Sequence, residues 1–244
     1  MDKIKLGTHI SQQFDAELED IRSKVMAMGG IVEQQLGDAI RALSDIDADL
    51  AEVVVTSDYK VNAMEVDIDE ECTQILARRQ PAASDLRLVI AVIKTITDLE
   101  RIGDEAERIG RMAVHFAEKG GSSKMLAGVT HLGNRVRSML HNALDAFARM
   151  DTEAALAVAR EDLEADKDYE SVLRELMTYM MEDPRSIPYV VDIMWSARSL
   201  ERIGDRAQNI AEYVIYLVKG KDVRHTSFEQ VEAEARGRQD IESK

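Results

Sequence analysis

Leu99-Glu-Arg-Ile-Gly-Asp104 recurs without change as Leu200-Glu-Arg-Ile-Gly-Asp205, 101 residues further along the chain. Upstream, Leu36-Gly-Asp-Ala-Ile-Arg-Ala-Leu43 matches Leu140-His-Asn-Ala-Leu-Asp-Ala-Phe147 at an offset of 104 residues. Two matches in the same order mark an internal duplication, and the change of offset falls near Pro81 and Pro184, where a turn between helices absorbs it. Long stretches of Ala, Leu, Glu, Arg and Met favour helix, and no window alternates apolar with polar residues as a strand would. The breaks predict helices over 9–45, 48–79 and 84–119 in the first copy and over 124–150, 152–182 and 187–219 in the second. Asp47 and Asp151 are placed to cap helix starts, and Gly120-Gly121-Ser-Ser123 separates the copies. The expected fold is all-α: two tandem antiparallel three-helix bundles over 8–119 and 124–220, followed by a polar C-terminal tail, 221–244, expected to fray.

Composition narrows the function. A formal net charge of −15 over 244 residues repels phosphate backbones and anionic lipid, so no direct nucleic-acid binding is expected. Cys72 is the single cysteine, which rules out an internal disulfide and fits a reducing compartment. The longest clean apolar run, Leu88 to Ile93, is far short of the roughly 20 residues that cross a bilayer. A cytoplasmic protein is expected.

On the third helix of each copy, Val92, Ile96, Leu99, Gly103, Ala106, Gly110 and Ala113 follow the 3-4 spacing of a bundle seam, as do their counterparts from Ile193 to Val214. Gly103 and Gly204 stand in mid-helix, where glycine costs about 1 kcal/mol against alanine, so a close approach to the backbone is expected there. Glu100 and Asp104, and likewise Glu201 and Asp205, lie four apart on one helix face beside this seam, where like charges repel. If the second and third helices form a hairpin, Asp58 and Asn62 oppose the first pair, and Asp162 and Asp166 oppose the second. Asn209 extends the second stripe by one turn. Four or five converging oxygen donors call for a countercharge, and Arg101 and Arg202 project about 100° from their neighbouring glutamates. A metal ion is the sharper expectation; an all-oxygen donor set suits magnesium, calcium or manganese, with iron also open.

At these residues the chain resembles the PhoU family. The resemblance is carried by Asp58 to Glu65 with Ile68-Asp69, by Arg79-Gln-Pro81 with Ser84-Asp-Leu-Arg87, by Leu99 to Asp104, by Leu176 to Met181 with Glu182-Asp-Pro184, and by Leu200 to Asp205 with Gln208-Asn209-Ile210. It spans about residues 8–222. It implies a non-catalytic negative regulator of phosphate signalling and uptake, whose partners are the ATPase subunit of a phosphate ABC transporter and a phosphate-responsive histidine kinase. It also implies metal ions, reported as iron or zinc clusters or other divalent ions, held at Glu100, Asp104, Asp162, Asp166, Glu201 and Asp205. Asn62 departs from the carboxylate pattern, so the two copies are not expected to bind alike.

A carboxylate-bridged di-iron enzyme would need Glu-x-x-His on two helices, and none of His9, His115, His131, His141 or His225 has a glutamate three positions before it. No nucleophile elbow or Gly-rich phosphate loop is present either. The remaining alternative is a helical scaffold whose acidic stripes are merely solvated. Met177, Met180 and Met181 precede the Pro184 turn at a spacing that fits burial, Trp195 anchors a core or an interface, and leftover apolar residues would suit a homodimer.

Overall fold

A computed structural model describes residues 12–81, 83–120, 123–224, 226 and 228–236. The ends of the sequence-based units at residues 8 and 244, the start of the first helix at 9–11, and His9 and His225 lie outside the described residues. Eight α-helices follow in order among them: α1 (Gln12–Asp45), α2 (Ala48–Ser57), α3 (Tyr59–Arg79), α4 (Ala83–Glu118), α5 (Ala127–Arg149), α6 (Thr152–Glu182), α7 (Ile187–Lys219) and α8 (Phe228–Arg236). The fold is all-α, with tandem helical bundles and no strand among the described residues.

The caps form where the sequence places them. Asp47 accepts from the backbone N–H of Leu50 at 2.9 Å, and Asp151 from those of Glu153 and Ala154 at 3.0 Å. Gly120 and Gly220 end α4 and α7 with φ of +75°, the left-handed conformation a glycine adopts most cheaply.

Two expectations are corrected. The helix expected over 48–79 is two helices, α2 and α3, parted at Asp58. Asp58 keeps helical dihedrals (φ −59°, ψ −31°), so the chain hardly changes direction. Its carboxylate is drawn inward to the amides of Gln35 and Asn62, and aspartate is a weak helix former. The stretch after Lys221 does not simply fray: α8 packs on α6, burying Val231 and Ala235, while Arg236 pairs with Glu153 at 3.6 Å. The apolar positions Val223, Phe228, Val231 and Ala235 are sparse in a charged stretch, but together they cover one face.

Helices α1 to α4 surround one apolar core and α5 to α7 another, and the two merge where α4 runs along α7 and α1 along α5. Every seam residue named above is buried. The α4–α7 contact carries a buried polar network. Glu105 accepts from Ser199 Oγ at 2.7 Å and from Arg202 at 3.0 Å, and Asp98 accepts from Arg206 at 2.8 Å and from the Tyr213 hydroxyl at 2.7 Å. Under the 101-residue offset Asp98 corresponds to Ser199 and Glu105 to Arg206, so Asp98–Arg206 and Glu105–Ser199 are one contact seen from the two helices. The duplicated helices therefore cross about a pseudo-twofold axis. The α1–α5 contact obeys the same axis: a Cβ at Gly29 would strike Leu144 at 2.7 Å, and one at Gly133 would meet Ile40 at 3.0 Å.

Candidate metal centre

The mid-helix glycines of the hexapeptide explain where the acidic residues go. A Cβ at Gly103 would lie 2.9 Å from Asp58 Oδ1 and 3.4 Å from Gln35 Oε1. The bare backbone of α4 thus seats a buried carboxylate from the α2–α3 junction. Gly204 plays the same part more loosely, with Asp162 Oδ1 at 3.4 Å. What fits against each glycine is a neighbouring helix carrying an aspartate.

In the first repeat, Asp58 is buried and doubly held: Gln35 Nε2 donates to Oδ1 at 3.0 Å and Asn62 Nδ2 to Oδ2 at 3.1 Å. Ligand-capable oxygens of Asp58, Asp104 and Glu107 lie within 4.8 Å of one another. Glu100 and Glu65 border this cluster. Burial pushes the pKa of Glu100 up, and the fields of Asp104, Glu65 and Asp58 push it further. Burial likewise raises Asp104, followed by Asp58 and Glu107, against which Arg108 pulls down. Burial also raises Glu65, opposed by a hydrogen bond from Thr97.

In the second repeat, α6 supplies Asp162 and Asp166 and α7 supplies Glu201 and Asp205. Burial first, then Asp166, Asp205 and Glu201, push Asp162 up to about 7. Glu201 and Asp205 are raised, both chiefly by burial. A countercharge is built into each repeat: Arg198 donates to Glu201 Oε1 at 2.6 Å, as Arg111 does to Glu107 Oε1 at 2.5 Å in the first. Arg202, by contrast, turns away to Glu105. Asn209 lies one turn past Asp205 on α7 and is half-buried.

The structure thus gathers Asp58, Asn62, Glu100 and Asp104 in one groove and Asp162, Asp166, Glu201 and Asp205 in the other. It adds two residues to the first that sequence reading passed over, Glu107 and Gln35. Their counterparts by offset are Gln208 and Met139, so a search for repeated residues discards both. Glu107 was still legible as the next acidic residue on the Asp104 face.

These donors suit a cation. Two buried acceptors, Gln35 Oε1 and Glu201 Oε2, lack a hydrogen-bond partner, and such an orphan costs about 1–3 kcal/mol unless something electropositive meets it. Carboxylates with raised pKa values gain either a proton or a metal ion. An oxygen-only set favours hard ions over zinc, which prefers nitrogen and sulfur.

Comparison with known proteins joins this geometry to a lineage. The PhoU domain matches twice, over residues 25–113 and 129–214. The chain belongs to the PhoU family. A PhoU homologue of Pseudomonas putida, named as a phosphate-specific transport system accessory protein, is 55% identical over 237 residues, 97% of this chain and 93% of that one. The Escherichia coli K12 accessory protein PhoU is 53% identical over 233 residues, covering 95% and 96%. The crystal structure of Pseudomonas aeruginosa PhoU superposes with a TM-score of 0.83 at 57% identity, covering 86% of this chain and 100% of that one. PhoU of Streptococcus pneumoniae, titled a phosphate transport system regulatory protein, gives 0.79 at 30% identity, with 86% and 99% covered. The two PhoU matches coincide with the two halves of the duplicated fold, one spanning α4 and its acidic groove, the other α7.

Proposed function

We propose that this protein is a non-catalytic accessory and regulator of phosphate uptake and signalling. It couples a phosphate ABC transporter, through the ATPase subunit, to a phosphate-responsive histidine kinase, and it represses the starvation response when phosphate is plentiful. The observation that supports this most is near-full-length identity above 50% to phosphate-transport accessory proteins. No described helix is long and apolar enough to cross a membrane, which suits a protein that reaches the inner face of the membrane from the cytoplasm through its partners. Deleting the gene tests the reading: phosphate-starvation genes are expected to be expressed constitutively at high phosphate, and unchanged repression overturns it.

Metal binding is the second part of the proposal. Asp58, Asp104 and Glu107 would hold an ion in the first repeat, beside the orphaned Gln35 Oε1 and with Glu100 and Glu65 within reach. Asp162, Asp166, Glu201 and Asp205 would hold one in the second. When bound, the ion supplies the positive charge that lets these carboxylates stay ionised while partly buried. The protein's own residues do the rest: Gly103 admits Asp58, and Gln35 and Asn62 fix its rotamer. Metal analysis of purified protein beside Asp58→Ala/Asp104→Ala and Glu201→Ala/Asp205→Ala variants tests this, and a metal-free native protein that regulates normally returns the grooves to solvated acidic stripes.

A further inference from the structure

The burial expected from the spacing of Met177, Met180 and Met181 holds in part for Met180, which packs against the core, and fails for Met177 and Met181; Trp195, expected to anchor a core or an interface, stands outside the core. Met181 is 85% exposed, Trp195 54% and Met177 51%, and Ile187 and Val191 beside them are exposed as well. Scattered surface apolar residues need no explanation, but a contiguous group does. Ile187, Val191 and Trp195 form a row of four-residue steps on α7, and Met177 and Met181 form another on α6. About five full turns separate Ile187 from Asp205, and about three separate Asp166 from Met177. Asp166 on α6 faces Asp205 on α7 across the groove and raises the pKa of Asp205. The two apolar rows therefore border the same groove, further along toward the Pro184 turn.

This surface is more extensive in the second repeat, although Leu86, the counterpart of Ile187, is exposed too. In the first repeat the α7 positions correspond to Leu86, Ile90 and Lys94, and the α6 positions to Thr73 and Ala77. Lys94 is already engaged over the rings of Tyr213 and Tyr216, each 5.4 Å from its ammonium nitrogen. The duplication supplied the hairpin, and divergence placed Trp195, Met177 and Met181 on one copy where the other has Lys94, Thr73 and Ala77.

Charge selects the occupant. The arginines around the patch are each satisfied within the chain: Arg174 by Glu170 at 3.5 Å, Arg185 by Asp183 at 2.9 Å and Arg198 by Glu201 at 2.6 Å. Glu175 and Glu182 remain on the rim, in a chain of net charge −15. A second copy brings the same negative rim, and an anionic membrane brings more negative charge. We propose that the Pro184 end of the α6–α7 hairpin is a docking groove for a cationic amphipathic helix of a partner protein. Two parallel apolar ridges accept the apolar face of one helix; the methionines adapt to its shape and Trp195 supplies the large anchor.

Trp195 is the only tryptophan in the chain, so its fluorescence reports the groove directly. Full-length protein would be titrated with a tryptophan-free Leu/Lys peptide that forms an amphipathic helix, and in parallel with its Leu/Glu counterpart and with phosphatidylglycerol vesicles. The expected result is a saturable blue shift with the Leu/Lys peptide only. Met177→Ser/Met181→Ser, which alters exposed side chains and keeps Trp195, should weaken that binding about tenfold or more with unchanged circular dichroism. Absence of the shift, equal affinity in the variant, or an equal response to the acidic peptide overturns the proposal. A shift with vesicles, or on raising protein concentration alone, overturns it in favour of a membrane surface or a second copy. The readout is independent of bound metal and of phosphate.

Discussion

The two repeats carry the same hexapeptide on α4 and α7 and surround it with different neighbours. In the first, a glycine is pressed against a buried aspartate held by two amides, Gln35 and Asn62, and Glu107 completes a close oxygen cluster. In the second, Met139 replaces Gln35, Gln208 replaces Glu107, and Arg198 lends its charge to Glu201. From the sequence the second copy is the fuller carboxylate set, because Asp166 stands where the first has Asn62. In space the first copy is the tighter group; Arg111 is bonded to its Glu107 at 2.5 Å, and Asp58 is held by amides alone. The lesson is that a metal-ligating group is judged by what neutralises it as much as by how many carboxylates it holds: each copy bonds an arginine to one glutamate, Arg111 to Glu107 and Arg198 to Glu201, while the amides that orient Asp58 leave its charge unneutralised.

The largest expected effect concerns the ion itself. Asp58→Ala/Asp104→Ala should lower affinity for manganese or magnesium about 100-fold at the first site, while Glu201→Ala/Asp205→Ala removes a weaker site; isothermal titration calorimetry separates them, and equal losses break the comparison. Next come the glycines. Gly103→Ala forces Asp58 off its seat and should destabilise by about 1–3 kcal/mol, whereas Gly204→Ala has ordinary room and gains up to about 1 kcal/mol of helix propensity. Thermal unfolding should thus move in opposite directions for the two changes, and equal shifts would remove the steric distinction.

A pH experiment sharpens the second repeat. The folded pKa of Asp162, about 7, lies above its unfolded value near 3.8, so its contribution to stability is full below pH 4 and is lost as pH rises through 7. In chelator-treated protein the urea midpoint should therefore fall between pH 5 and pH 8, and Asp162→Asn should flatten that slope. Glu212, also pushed up to about 7, and the other carboxyls raised by burial, Glu65, Glu100, Asp104, Glu201 and Asp205, contribute the slope that remains. The smallest effect is expected of Asn62→Asp. It adds a carboxylate to the first groove but removes one of the two amides that orient Asp58, and metal affinity should change by no more than about tenfold.

Much of this was legible before the fold was known. Seam positions such as Val92, Leu99 and Ala106 announce themselves by 3-4 spacing, and Asp47 and Asp151 by their place ahead of an apolar run. The opposition of Asp58 to Asp104, and of Asp162 to Asp205, follows from hairpins about Pro81 and Pro184. Gln35 was not legible, because it reaches the site from a third helix and no local spacing connects it to Gly103. Met177 and Met181 were misread as buried, and the choice between core and interface for Trp195 stayed open, because apolar periodicity marks a face without saying whether anything covers it.

The sequence by itself determined the helices, their duplication and the faces that bear acid, because each depends on periods of a few residues and on a repeat visible as text. Tertiary structure alone decided that α4 and α7 cross about a pseudo-twofold axis, that Arg202 leaves its own carboxylates for Glu105, and that the second hairpin leaves Met177, Met181 and Trp195 bare. Those outcomes turn on which surfaces meet and desolvate one another, and burial is a property of the packed chain that no local pattern encodes.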